Sequence, residues 1–301
     1  MAASSGFVRE DALAVPIRRR SSTLRELRHH LRHKPLGAAG LLIVIFIGLV
    51  ALFAPVIAPF GYQVQDYDAL KLSPSLTHLF GTDHFGRDIF SRVVPGARIS
   101  LLVGFSAVLI GTGVGALLGL VSGYFMGAVD ALVQRLVDIA MSFPDFILAL
   151  TIVTVFGNTM PNVIIAVAAT IMPRGVRVLR SATISLRETD YVMAARVIGA
   201  SSPRIILRHV LPNTMAPFLI IMSSMFGTAI LTEAGLSYLG LGIAPPVPSW
   251  GNMITGQAAQ HAFTAPWIVV FPGLALGITV LGFAFAGDAL RDILDPKLRG
   301  R

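Results

Sequence analysis

Asp83 and Arg87, and again Asp88 and Arg92, stand four residues apart in the stretch GTDHFGRDIFSR, with His84 between them. Two aspartates beside a histidine could form an acid–base pair or half of a metal site. Nothing nearby supplies the nucleophile, third ligand or pocket that a reaction needs. The spacing of four is read instead as paired charges on an exposed amphipathic helix. His29 and His33 share a helix face at i, i+4, yet no acidic residue or third histidine is spaced to complete a metal set, so they are read as part of a basic tail. The chain has no cysteine, which removes thiolate ligands, disulfides and a cysteine nucleophile. Its three lysines, Lys34, Lys71 and Lys297, lack the preceding glycine and following Ser or Thr of a phosphate cradle, so the chain is expected to hydrolyse no ATP by itself. Asp138, Asp145 and Arg174 remain, lying in or near apolar runs. Asp145 is either a water-lined pathway carboxylate, as in a proton-coupled secondary transporter, or one half of a pair with Arg174.

The elements that hold these residues follow from composition. Of 301 residues, 54% are hydrophobic and 13% charged, a balance too apolar for a domain with a water-facing surface. Barrel-like alternation is absent, so an all-α, polytopic membrane protein is expected. A span needs about 20 apolar residues. Six are read, at 36–59, 98–124, 136–157, 162–178, 214–233 and 267–287. Around them lie a basic N-terminal tail over 1–35, an amphipathic segment over 60–97, a polar loop over 179–213, a Pro- and Gly-rich loop over 234–266 and a C-terminal tail over 288–301. The first span is too long for a secretory signal and lacks a small-residue cleavage site, so it is read as an uncleaved anchor. With the N-terminus inside, 20 of the 24 Lys and Arg fall on the inner side, which predicts both termini in the cytoplasm. The net charge of +8 then reflects orientation in the bilayer and not nucleic-acid binding.

The polar loop contains YVMAARVIGASSPRIILRHVLPN, residues 191–213. Asp190 is placed to cap a short helix over 191–198, and Gly199 suits the left-handed residue that ends it. Ser202 is read as the cap of a second helix opened by Pro203 and stopped by Pro212. Ala194 and Ala195 keep the first helix thin enough for a partner surface to approach its backbone. Local chemistry alone leaves open a plain amphipathic loop at the headgroups. Gly111, Gly115, Gly119 and Gly123 recur every four residues and line one helix face, a seam either within the chain or with a partner. The loop LGLGIAPPVPSWG is too stiff for a linker and too apolar for a solvated loop, and reads as a re-entrant plug or as an outer gate.

Residues 191–213 resemble the cytoplasmic loop of ATP-binding-cassette importer permeases, with Ala194, Ala195, Gly199, Leu211 and Pro212 matching. Met193 and His209 depart from the general pattern in a way that suits the peptide and nickel branch. HLFGTDHFGRDIFSRVVPGARISLLVG, SYLGLGIAPPVPSWGNMI and GDALRDILDPKLRG are similar, in that order, to other signatures of the C-type permease subunit of dipeptide and oligopeptide importers. The resemblance implies a type I importer permease fold in a bacterial inner membrane. It implies coupling to an ATPase through Tyr191, Ala194, Ala195, Arg196, Gly199, Ala200, Leu211 and Pro212. Asp83, Arg87, Asp88, Gly240, Pro245, Pro246 and Trp250 would serve an outer gate or a docking surface for a binding protein, while the glycine face stays open between a seam within the chain and one with a second permease. The implied partners are that second permease, as a heterodimer, two ATP-binding subunits carrying ATP and Mg, and an extracytoplasmic solute-binding protein. No cofactor or metal is expected in this chain.

Overall fold

The computed structural model describes residues 35–294, the side chain of residue 257 excepted. Helix α1, Pro35–Leu52, opens on a proline, whose missing N–H costs nothing in a first turn, and is followed by the short α2, Ala54–Ile57. Residues 58–89 form an ordered, mostly irregular segment with one 3₁₀ turn, Tyr67–Ala69, and one isolated β-bridge between Thr82 and Asp88. Helix α3, Phe90–Phe125, follows. Its 36 residues extend about 54 Å, well beyond a hydrocarbon core of roughly 30 Å.

Helices α4, Gly127–Met141, and α5, Asp145–Phe156, meet at 89°. The expected continuous span over 136–157 is therefore a broken one. Pro144 has no N–H to donate into a continuing helix, and it disfavours helical geometry at the residue before it. Helix α6, Met160–Arg187, runs beside α3, and after the short α7, Asp190–Val197, comes α8, Ser202–Ile205. A π-helical turn, Ile206–Val210, joins α8 to α9, Leu211–Tyr238. The single turns α10, Trp250–Met253, and α11, Gln257–Gln260, precede α12, Trp267–Leu294.

Among the described residues five helical stretches are long and apolar enough to cross a bilayer, and the bent α4–α5 pair makes a sixth if it counts as one span. Most run past the apolar windows read from sequence, because a charged residue ends a hydrophobic window without ending a helix. The all-α expectation holds throughout the described residues.

Two end regions flank a central core. In the middle, Val103, Ala107 and Val108 of α3 meet Val163, Ala166 and Val167 of α6, with Ala149 and Val153 of α5 and Phe226 and Ala229 of α9. At one end Trp250 sits among Ile89, Val93, Ala97 and Ile268. At the other, Leu120 and Tyr124 of α3 meet Val192, Ala195, Ile205 and Val210. Helix α1 lies against α12 at Gly40, where a Cβ would stand 2.5 Å from that of Phe285.

Candidate functional site

Helix α7 is short and carries both an aspartate and an arginine. Thr189, in extended conformation, precedes it, and Asp190 is its first residue, so the cap expected at Asp190 moves back by one. A carboxylate in a first turn still favours the positive end of the helix dipole. Gly199 adopts φ +81°, its N–H bonding to the Arg196 carbonyl at 3.1 Å and that of Ala200 to the Ala195 carbonyl at 3.0 Å. This crossed pair is the Schellman closure, which satisfies two carbonyls left open by the helix end. The chain then turns sharply into α8.

Ser202 does not cap α8. Ser201 occupies that position, with no side-chain bond, and Ser202 lies inside the helix. Nor does Pro212 stop the second helix: residues Ser202–Tyr238 form one 37-residue helical run. The π turn just before Leu211 already interrupts the ordinary bonding register, and a proline in the first turn after such a break forfeits little. Asn213 Nδ2 donates to the His209 carbonyl at 2.6 Å.

Burial divides the α7 residues in two. Ala195 is 7% exposed and packs with Leu120, Tyr124 and Val210, on the chain's own underside. The expectation that Ala195 meets an approaching partner is thereby corrected, since an alanine that is thin for a neighbour here serves an internal one. Arg196 stacks over the Tyr124 ring at 5.7 Å, and Tyr191 faces His209. Ala200 and Leu211 are half-buried, while Tyr191, Ala194, Gly199 and Pro212 are exposed. The apolar surface at the tip belongs to Val197 and Ile198, 86% and 83% exposed. Sequence reading missed both. Their signal was two large apolar residues directly before a helix-ending glycine on a short polar loop.

At the opposite end residues 83–89 depart from the amphipathic helix expected of the charged stretch, which becomes helical only at Phe90. Asp83 is buried at the centre of a turn: its Oδ1 accepts the backbone N–H groups of Phe85 at 2.8 Å and Arg87 at 3.0 Å, and its Oδ2 pairs with Arg87 Nε at 2.6 Å. Asp88, also buried, accepts the Ser91 N–H at 2.7 Å in the first turn of α3 and faces His78 Nδ1 at 3.0 Å. A carboxylate ringed by short-range backbone donors favours a turn over a helix, which is why spacing misled.

Trp250 is buried too, its Nε1 donating to the Val93 carbonyl at 3.0 Å. It plugs the bundle and offers no surface for docking in this conformation. Gly240, Pro245 and Pro246 are exposed. Beneath the plug lies a residue that sequence reading treated only as a loop boundary. Glu233 is 0% exposed, accepts the Ser237 hydroxyl at 2.8 Å, and has Ser100 Oγ at 3.5 Å, which in turn accepts the Trp250 backbone N–H at 3.3 Å. Its signal was a glutamate interrupting the apolar run AILTEAGL.

The four glycines lie within the chain. A Cβ on Gly111, Gly115, Gly119 or Gly123 would fall 2.6 to 2.8 Å from the carbonyl oxygen of Ala168, Met172, Val176 or Arg180 respectively, so each glycine turn of α3 faces one turn of α6. Of the two readings left open, a seam within the chain and one with a second permease, these contacts fit the first. Alongside it, α6 carries a row of ion pairs: Arg174 to Asp145, Arg177 to Asp138 at 2.8 Å, and Arg180, whose Nε and Nη2 each stand 2.6 Å from an oxygen of Asp130. Asp145 is thus the partner of Arg174, and the isolated carboxylate of a proton-coupled transporter finds no support. Among the described residues no group of three or more His, Cys, Asp or Glu could hold a metal ion, and His29 and His33 lie outside those residues.

Comparison with known proteins agrees with this architecture. Residues 115–300 match the family described as binding-protein-dependent transport system inner membrane component, and residues 22–74 match the N-terminal TM domain of oligopeptide transport permease C. The chain is similar to the dipeptide transport system permease protein DppC of Alkalihalophilus pseudofirmus, with 44% identity over 92% of this chain and 91% of that one. It is 45% identical to the glutathione transport system permease protein GsiD of Escherichia coli O6:K15:H31, over 91% of each chain. The corresponding protein of Pectobacterium atrosepticum is 41% identical over 90% of each. A chain from an inward-facing crystal form of the MetNI methionine ABC transporter superposes with a TM-score of 0.53 at 18% identity, over 67% of this chain and 96% of that one. At that identity the likeness is one of fold.

Proposed function

We propose a division of labour from the fact that this chain belongs to the family of binding-protein-dependent transport system inner membrane components: it forms half of a peptide pathway and takes its energy from a separate motor. As a permease subunit of an ATP-binding-cassette importer it crosses the membrane several times. The finer reading is that the solute is a di- or oligopeptide or a peptide-like relative such as glutathione, in keeping with what the similar proteins are named for. ATP and Mg belong to two ATPase subunits, a second permease closes the other half of the pathway, and a solute-binding protein delivers from outside.

The observation that carries this reading is α7: a short helix closed by Gly199, seated on the feet of α3 and the α8–α9 run through Val192 and Ala195, and tipped by exposed Val197 and Ile198. An apolar tip on a rigid seat suits a groove in a motor protein. When the motors close on ATP, the seat transmits the displacement to α3 and α9, and the two permeases exchange outward for inward access. Only a solute complex that favours one of these states can shift their balance.

Reconstituted with its partners in proteoliposomes, the chain should support ATP hydrolysis stimulated by the solute-loaded binding protein, and alone it should turn over none. ATP turnover by the purified chain, surviving a check for contaminating ATPases, would overturn the division of roles. Mass spectrometry of solute released from the co-purified binding protein tests the substrate class, and a solute without a peptide bond would remove it.

Orientation gives a second expectation, with α7 and both termini cytoplasmic and the Trp250 end outside. Ser185→Cys, at an exposed position near the end of α6, should be protected in intact cells from an impermeant thiol reagent. Phe263→Cys, at a site 99% exposed, should be labelled. The reverse pattern would invert the scheme.

A further inference from the structure

At the Trp250 end a cavity of about 330 Å³ opens between the turn around Asp83 and the segment from Pro245 to Ala258, with Ile268 of α12 at its side. That is roughly ten times the volume of a water molecule and at the lower end of small-ligand pockets. Its walls differ in character. Met253, Ala258, Ile89 and Ile268 are apolar, while the facing wall carries Asp83, His84, Arg87 and Arg92. Asp83 is the sole carboxylate among the lining residues, and its oxygens are already committed to two backbone N–H groups and to Arg87.

Arg92 is left underserved. It is 6% exposed, donates from Nη1 to the Tyr62 carbonyl at 2.9 Å, and its Nε stands 4.0 Å from Asp83 Oδ2. A guanidinium has five N–H donors, and burying it without a matching acceptor is costly. His84 Nδ1 is buried with no partner, and its ring lies 6.0 Å from that of His261. Two guanidiniums and one imidazole therefore share the cavity wall with one spent carboxylate, and a second imidazole, His261, stands beside His84.

We propose that this cavity binds the carboxylate of a small, partly apolar solute, with Arg92 as its anchor and the apolar wall holding the body of the molecule. Planar carboxylate oxygens match a guanidinium fork, and Arg92 lines the cavity while its one short hydrogen bond is that from Nη1 to the Tyr62 carbonyl. The site does not depend on the transported solute being a peptide. Burial holds the His84 pKa below its usual value, and Arg87, His261 and Arg92 act in the same direction against the raising influence of Asp83. A bound carboxylate adds a second negative neighbour and favours the imidazolium, so binding takes up a proton and tightens as pH falls through and below the ordinary imidazole range.

The test uses the full chain in lipid nanodiscs, titrated with N-acetyl-leucine and, separately, with uncharged N-acetyl-leucinamide, followed by saturation-transfer NMR. The acid should bind saturably and about tenfold more tightly than the amide, and more tightly at lower pH. Thr255→Trp, which fills the cavity from its half-buried rim, should remove saturable binding without changing the melting temperature. His84→Phe should keep binding and lose its pH dependence. Equal affinity for acid and amide, or unchanged binding in a folded Thr255→Trp chain, would overturn the site; pH-independent binding by the unaltered chain would overturn the part assigned to His84. All these readouts are taken without ATPases, so they stand apart from the test of transport.

Discussion

Valine in place of Gly115 will leave little or no folded protein, whereas valine in place of Gly113, two residues away on the same helix, will be recovered at near-normal yield. A Cβ at 115 would stand 2.6 Å from the Met172 carbonyl oxygen and 3.1 Å from the Gly175 Cα, both backbone atoms that cannot swing aside. The side chain's two further carbons must then push α3 and α6 apart along the seam they share. Forcing even one or two methylenes into a packed interior costs about 1–3 kcal/mol. Here the cost repeats up the helix, because separating one turn lifts Gly111, Gly119 and Gly123 from their carbonyls as well. At Gly113 nothing lies within 4 Å, and replacing a helical glycine there removes a backbone-entropy penalty of under about 1 kcal/mol. Monodisperse yield and melting temperature of the two variants in detergent give the comparison. Equal yields would mean that the glycine face is incidental.

Ile198→Asp should abolish solute-stimulated ATP hydrolysis in the assembled importer while the chain still folds and inserts. The side chain is almost wholly exposed, so its loss removes no internal contact. If the tip lies in a motor groove, the variant forfeits about 1.5–3 kcal/mol of apolar burial and leaves an unpaired carboxylate to be desolvated at several kcal/mol more. At 1.36 kcal/mol per decade, coupling falls at least about a hundredfold. Ala195→Asp is the contrasting variant. It places its charge in the cluster of Tyr124, Val192 and Val210, so it should lower the melting temperature of the isolated chain, which Ile198→Asp should not. Unimpaired stimulation in Ile198→Asp would remove α7 as the point of energy entry.

These two variants also mark where the sequence was legible and where it stopped being so. Apolar runs disclosed the long helices, since bilayer thickness alone demands them, and Gly199 disclosed the end of α7, since few other residues accept φ +81°. The period of four in the glycines disclosed a close-packed face. What that face meets is a relation between distant segments, and no local pattern says whether the neighbour is α6 or another chain. Asp83 failed for a different reason: a spacing of four fits both a helix and a turn closed by a carboxylate, and only the backbone N–H groups of Phe85 and Arg87 decide between them. Glu233 was overlooked because, apart from Ser237 one turn on, the hydroxyls around it come from distant segments: Ser100 of α3, and Ser249, which meets Ser237.

The helical run from Ser202 to Tyr238, its π turn included, links the two ends of the bundle through one element of this chain. Had Pro212 ended a helix, the foot could have pivoted freely and its motion would have died in a flexible joint. Instead Ile205 at the foot and Glu233 beneath the plug ride on one rod, the latter about 46 Å from its start at helical rise. A tilt of about 5° about the foot would carry Glu233 sideways by roughly 4 Å, comparable with the 5.4 Å pitch of a helix. Glu233 reaches Ser100 and, through it, the backbone of Trp250. If the tip of α7 does lie in a motor groove, leverage of this kind would carry a small push on one side to the packing around Trp250 on the other, with only the Glu233–Ser100 contact as the last link.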